Sequence, residues 1–147
     1  MLRMASFQSS ISIKAPPERV WPVLSDVVRW PHWMPTVTSL EPLGSGNLEV
    51  GNQYRISQPK LRTAIWTVTG LVPNQFFIWE SRLPGIRVIG NHKIEPVSAK
   101  ETTVILSVEF KGLLAGLVGV LYGKLTRDYL RQEAEALKLK VLSLPMN

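Results

Sequence analysis

Near the start of the chain Phe7, Ser9, Ile11 and Ile13 alternate with Gln8, Ser10, Ser12 and Lys14. Alternation of period two predicts a first strand, ended by Ala15-Pro16-Pro17. Pro17 suits the opening turn of a helix. Val20, Trp21 and Leu24 at helical spacing predict a short helix over 18–25, although Pro22 limits its regularity. A second short helical turn is expected over 26–33, bounded by Pro31 and Pro35. From Val37 onward apolar runs are separated by turn chemistry at Gly44-Ser45-Gly46-Asn47, Gln58-Pro59, Val72-Pro73-Asn74, Leu83-Pro84-Gly85 and Pro96-Val97-Ser98. These turns predict strands over about 37–43, 48–57, 61–69, 76–82, 86–95 and 101–111, a six-stranded antiparallel meander that the first strand can join. A helix over about 113–142 follows. The fold class is therefore α+β: a strongly curved antiparallel sheet around a long C-terminal helix, with two short helices after the first strand. Residues 1–147 read as one domain.

Charges belong on the wet face of a half-buried sheet and so indicate which side chains point inward. Arg87, Lys93 and Glu95 facing out place Val88, Gly90, His92 and Ile94 inside. Glu109 and Lys111 outside place Val104, Leu106, Val108 and Phe110 inside, and Glu80 and Arg82 outside place Phe77, Trp79 and Ser81 inside. Segment 61–69 defeats the test, because Ala64, Trp66 and Val68 share a face with Arg62.

The long helix is the most informative element. Leu130, Ala134, Leu137 and Val141 form an ordinary core stripe, opposite a charged side with Lys124, Arg127, Arg131 and Lys138. Traced backward, the stripe reads Thr126, Gly123, Gly119, Gly116 and Gly112, so the face toward the sheet loses its side chains. Gly116, Gly119 and Gly123 are helix-interior and together cost on the order of 3 kcal/mol relative to Ala. Either they let the helix touch the sheet, or they leave a void. Large inward aromatics and a bent sheet favour the void, an apolar cavity between Gly116–Gly123 and the strands. The same half-helix is apolar all round, through Leu113, Leu114, Leu117, Val118, Val120, Leu121 and Tyr122. Coverage by loops is the expected outcome, with a dimer contact or a gate resting on a membrane as alternatives.

Composition narrows the function classes. Hydrophobic residues make up 45% and charged residues 19%, which excludes a disordered chain and allows a real core. With no cysteine, thiolate metal sites, disulfides and cysteine nucleophiles are excluded. Seventeen Lys and Arg against eleven Asp and Glu give +6, but the cations are dispersed, so nucleic acid is not an expected partner. Lys124, Arg127 and Arg131 with Asp128, Glu133 and Glu135 nearby read first as a solvated face and second as an anionic-membrane contact. Met1–Ser10 carries one Arg and no apolar stretch, and the longest apolar run, Leu113–Gly123, is shorter than the roughly 18 residues of a spanning helix, so a cytoplasmic location is expected. His32 and His92 lie far apart with no acidic cluster at ligand spacing, and no metal or other cofactor is expected. His92 is the one inward titratable group, either a satisfied interior histidine or an acid–base or ligand-orienting group.

Ala15-Pro16-Pro17-Glu18-Arg19-Val20-Trp21, followed by Asp26, Trp30, Trp33 and Pro35, resembles the strand-to-helix opening of the helix-grip superfamily of START lipid-transfer domains, birch-pollen-type allergens and bacterial polyketide cyclase/dehydrase proteins. Gly51 leading to Tyr54, Trp79-Glu80 before Pro84-Gly85, and Thr102-Thr103 at the last strand add to the resemblance, which spans nearly the whole chain. It implies an apolar cavity between a curved sheet and the helix that binds lipids, polyketides or similar molecules. No catalytic set transfers. The sequence reading is a binder or carrier of an apolar or amphipathic small molecule, with Phe77, Trp79, Leu106, Gly116, Gly119 and Tyr122 lining the pocket and His92 orienting a polar group. A polyketide cyclase or dehydratase using His92 is the alternative. A module for an anionic surface, using Lys124, Arg127 and Arg131, is the second.

Overall fold

The computed structural model describes residues 4–145. Strand β1 (Met4–Ile13) leads to helix α1 (Pro17–Ser25) and a 3-10 segment (Val27–His32). Strands β2 (Ser39–Pro42), β3 (Gln53–Ser57), β4 (Ala64–Val72), β5 (Phe76–Leu83), β6 (Ile86–Ser98) and β7 (Glu101–Lys111) follow, and helix α2 (Ala115–Ser143) comes last. All pairs are antiparallel, and the sheet order is β1-β7-β6-β5-β4-β3-β2. The first strand thus pairs with the last, in register from Met4–Lys111 to Ile13–Thr102. The sheet curves around α2 as expected.

Boundaries differ from the expectation where side chains compete with the ladder. β3 begins at Gln53 rather than near 48, because residues 47–52 fold into turns: Gly51 takes φ +95°, and the Asn52 amide donates to the Asn47 carbonyl and to Ser45 Oγ. β4 runs over 64–72 instead of 61–69 and has a register shift between Val68 and Gly70. This resolves its facing. Arg62 precedes the strand, so its charge says nothing about the strand's faces, and Val68 is buried while Ile65 is exposed. The inward sets of β5, β6 and β7 follow the charge argument, with Arg87 and Glu80 paired on the outside at 3.0 Å.

α1 and the 3-10 segment close one end of the sheet's concave side. Trp30 is buried, donates its indole N–H to the Leu24 carbonyl at 3.0 Å, and packs on Phe77 with Trp21. Thr102 Oγ1 donates to the Ala15 carbonyl at 2.8 Å, tying the β1–α1 turn to β7.

At the other end the chain turns sharply into α2. Gly112 lies before the helix with φ +119°, and a Cβ there would stand 2.7 Å from the Gly85 carbonyl oxygen, so only glycine fits. The Leu114 N–H donates to that same oxygen at 3.0 Å.

The interior glycines correct the void expectation. A Cβ at Gly119 would meet Ala5 Cβ at 2.7 Å, and one at Gly123 would meet the Phe7 ring at 3.1 Å. These glycines bring the helix backbone onto β1 and leave no open space there. The second half of the stripe packs as expected, with Leu130, Ala134, Leu137 and Val141 all buried. The apolar half-helix is a further correction. Among the described residues no loop covers it: Leu113 is 79% exposed, Val120 83%, and Leu114, Leu117, Leu121 and Tyr122 are exposed as well.

Gly119→Ala should therefore lower stability by about 1–2 kcal/mol, although alanine gains about 1 kcal/mol in helix propensity. Chemical denaturation of Ala5→Gly, Gly119→Ala and the double variant checks this. A favourable coupling in the double variant is expected, and simple additivity would mean that the two residues are not in tight contact.

Candidate ligand cavity

α2 packs against β1 and β7, at one side of the concave face. Between it and β3–β7 lies a cavity of about 540 Å³. On the helix side it is bordered from Val118 through Tyr122, Tyr129 and Leu130 to Glu133. That stretch spans about 22 Å at 1.5 Å per residue. Trp66 and Trp79 come from β4 and β5, and Leu106, Val108 and Phe110 from β7. Trp30 and Val37 close the end beneath the 3-10 segment, while exposed Leu83 and Arg62 mark rim positions. Tyr129 Oη donates to the Pro59 carbonyl, which ties the β3–β4 loop to the helix.

Alternation places the β5 and β6 side chains. Trp79 and Gly90 are cross-strand partners, and a Cβ at Gly90 would press on the indole at 3.1 Å. The missing side chain lets the Trp79 ring lie across β6. Trp79 meets Trp30 and Trp66 at centroid distances of 5.3 and 5.9 Å. Phe77 is 0% exposed and stands behind the wall, its ring stacked on His92 at 4.0 Å and 6°.

His92 borders the cavity, and its Nδ1 lies 3.3 Å from the Phe77 carbonyl oxygen. That oxygen can only accept, so Nδ1 carries the hydrogen and Nε2 is left as an acceptor. Burial lowers the pKa of His92 to about 4, outweighing the hydrogen bond to Phe77, which acts the other way. The ring is neutral at physiological pH.

Glu133 was grouped by its neighbours with the solvated charges, and this is corrected: it stands in the cavity wall, with only part of its surface accessible. Burial pushes its carboxyl from the ordinary 4.5 up to about 7. The buried Thr36 hydroxyl, which makes no well-formed hydrogen bond, offsets part of that rise. Its sequence signal was spacing, since Glu133 lies three residues after Leu130 and four before Leu137 on the same helix side.

Of the residues expected to line the pocket, Trp79, His92, Leu106 and Tyr122 border the cavity; Phe77, Gly116 and Gly119 do not. The glycine face is occupied by β1, as Gly119 demonstrates. Sequence reasoning missed Glu133 and Tyr129, and it used Trp30 only as part of a motif. The other histidine, His32, sits on a more open groove between residues 31–35 and the C-terminal half of α2.

A family model described as polyketide cyclase/dehydrase and lipid transport matches residues 4–141. The chain belongs to this family. No curated protein matches it in sequence. Among solved structures it is similar to the Zhui aromatase/cyclase from Streptomyces sp. R1128, at 16% identity and TM-score 0.78 over 95% of this chain and 94% of that one. It is similar to norcoclaurine synthase from Thalictrum flavum in complex with dopamine and hydroxybenzaldehyde, at 15% identity and TM-score 0.80, covering 99% and 91%. A START superfamily protein from Mycobacterium smegmatis is similar at 19% identity and TM-score 0.76, covering 97% and 99%. At these identities the likeness establishes the helix-grip fold. Family membership comes from the model match, and it agrees with the resemblance carried by the 15–35 segment.

The raised Glu133 pKa has a stability consequence. The folded state holds the proton more tightly than the unfolded chain, so this group's contribution is fully present below about 4.5 and is lost as pH rises through about 7. Glu133→Gln removes the titration. Its stability relative to wild type should therefore increase by roughly 2 kcal/mol between pH 5 and pH 8. Denaturant melts at the two pH values measure this, and a pH-independent difference would contradict the buried position.

Proposed function

We propose that this member of the family binds and carries a small apolar or amphipathic molecule in the cavity between α2 and the sheet. The observation that carries the reading is the cavity itself: about 540 Å³, walled largely by aromatic and aliphatic side chains. That volume lies in the range of small-molecule sites, roughly 300–1,000 Å³. His92 supports orientation of the ligand, because its neutral Nε2 accepts one hydrogen bond without asking for a charge. The cyclase or dehydratase alternative is less well supported. With a pKa near 4 and Nδ1 directed at the Phe77 carbonyl, His92 is a weak base, and Glu133 alone titrates near neutrality in the wall.

The exposed half of α2 supports a membrane contact for loading. Leu83 and Tyr122 belong both to the cavity border and to the exposed apolar surface, so the patch adjoins an entrance. Between Glu109 and Asp128 there is no acidic residue, while Lys111, Lys124 and Arg127 are present, a charge pattern suited to anionic headgroups. Among the described residues no helix is long and apolar enough to cross a membrane, so the contact is peripheral.

Two measurements test this reading. Val108→Phe should reduce Nile red binding at least about tenfold, the equivalent of 1.4 kcal/mol, with cooperative unfolding retained; unchanged binding would place the dye elsewhere. In vesicle sedimentation, the full chain should bind phosphatidylglycerol-containing vesicles more than pure phosphatidylcholine, and Leu117→Asp/Leu121→Asp should abolish that binding. Equal sedimentation of the variant would remove the helix from the contact.

A further inference from the structure

Among the described residues, the wall of the cavity contains one carboxyl group and no buried cation to match it. Glu133 projects from α2 into a space it shares with Trp30, Trp66, Trp79 and Tyr129. Among the described residues it forms no ion pair, since the recorded pairs join Arg29–Asp26, Arg55–Glu41, Arg87–Glu80, Lys93–Glu95, Lys111–Glu109 and Arg131–Asp128. Among the described residues the only Lys or Arg on the cavity border is Arg62, which is exposed in the β3–β4 loop. The other titratable groups bordering this space are Tyr122 and Tyr129 on the same helix and His92 from β6. From the segment after the 3-10 turn come Thr36 and Val37, which carry no charge. A buried carboxylate without a counter-ion is costly, and the cost is relieved either by a proton or by a cation supplied from outside.

We propose that the cavity selects a ligand with a cationic amine on an aromatic or aliphatic body, the Glu133 carboxylate serving as its counter-ion and the indoles of Trp30, Trp66 and Trp79 as its walls. This rests on the reading of the cavity as a ligand site and specifies its polar end. Each chemical class meets the wall differently. A cation pairs with Glu133 in a desolvated space and is attracted to indole faces. A carboxylate ligand brings a like charge to Glu133. A neutral ligand leaves Glu133 to take up a proton. His92 does not oppose the cation, because its ring is neutral and its free nitrogen accepts. Binding of the amine favours the ionised carboxylate, so uptake near pH 7 releases a proton, a signature that simple filling of an apolar pocket does not produce.

Isothermal titration calorimetry of the full chain with naphthylethylamine, naphthylethanol and naphthylacetate separates the cases. At pH 8 the amine should bind at least about tenfold more tightly than the alcohol, and the acetate most weakly. In Glu133→Gln the amine should lose its advantage over the alcohol, and the alcohol should bind at least as tightly as it binds wild type. At pH 7 the wild-type enthalpy for the amine should vary with the ionisation enthalpy of the buffer, and that dependence should vanish in the variant. Cooperative melting of the variant confirms that it is folded. If the alcohol binds and the amine has no advantage, or if the advantage survives in Glu133→Gln, amine selectivity is overturned and the carrier reading stands. If neither the alcohol nor Nile red binds, both fall together.

Discussion

The close contact between the glycine face of α2 and edge strand β1 is the constraint on which the rest of the molecule depends. At Gly119 the helix leaves no space for even a methyl group next to Ala5, and at Gly123 it lies on the Phe7 ring. Held there, the helix packs on β1 and β7, while β3 to β6 curve away from it. The gap is bridged only by long side chains from both walls, and the cavity is what they leave unfilled. The glycines create the pocket indirectly: they line none of it, yet they fix the helix at one side of the sheet. That placement carries a penalty of about 1 kcal/mol for each interior glycine, a cost that tight packing on β1 offsets.

Burial acts on His92 and Glu133 through one mechanism. It disfavours charge of either sign, so His92 falls to about 4 and Glu133 rises to about 7. Both are mostly neutral between about pH 4 and pH 7, and in that range the cavity is electrically quieter than its residue types suggest. The two groups differ in what they can still do. His92 is held by the Phe77 ring on one face and by the Phe77 carbonyl at Nδ1, whereas among the described residues Glu133 has only the weakly placed Thr36 hydroxyl. An imperfectly satisfied carboxyl in a pocket works against stability at neutral pH, which is the kind of local conflict found where a site serves binding.

The similar structures share 15–19% identity at TM-scores of 0.76–0.80 over nearly the full chain. A common backbone therefore persists while side chains diverge. In this chain the fold leaves a cavity between sheet and helix, and what such a space accepts depends on the groups that line it. In this chain that content is an indole-rich wall, one neutral imidazole and one carboxyl.

Alternation and turn chemistry were enough to read the strands, their inward faces and the long helix, because side-chain direction in a strand follows from position alone. They also placed Trp79, His92 and Leu106 on the inner face. Segment 61–69 resisted because the strand's true start at Ala64 was hidden, and Arg62 was counted as a strand residue. What only the tertiary structure decided was the occupancy of each face. Whether Gly119 borders a void or Ala5, whether Leu117 and Val120 are covered, and whether Glu133 meets water or the cavity all depend on which element lies opposite. The chain's local pattern determines the direction of a side chain, and the sheet's curvature and the helix's lateral position, both set by contacts distant in sequence, determine what that side chain meets.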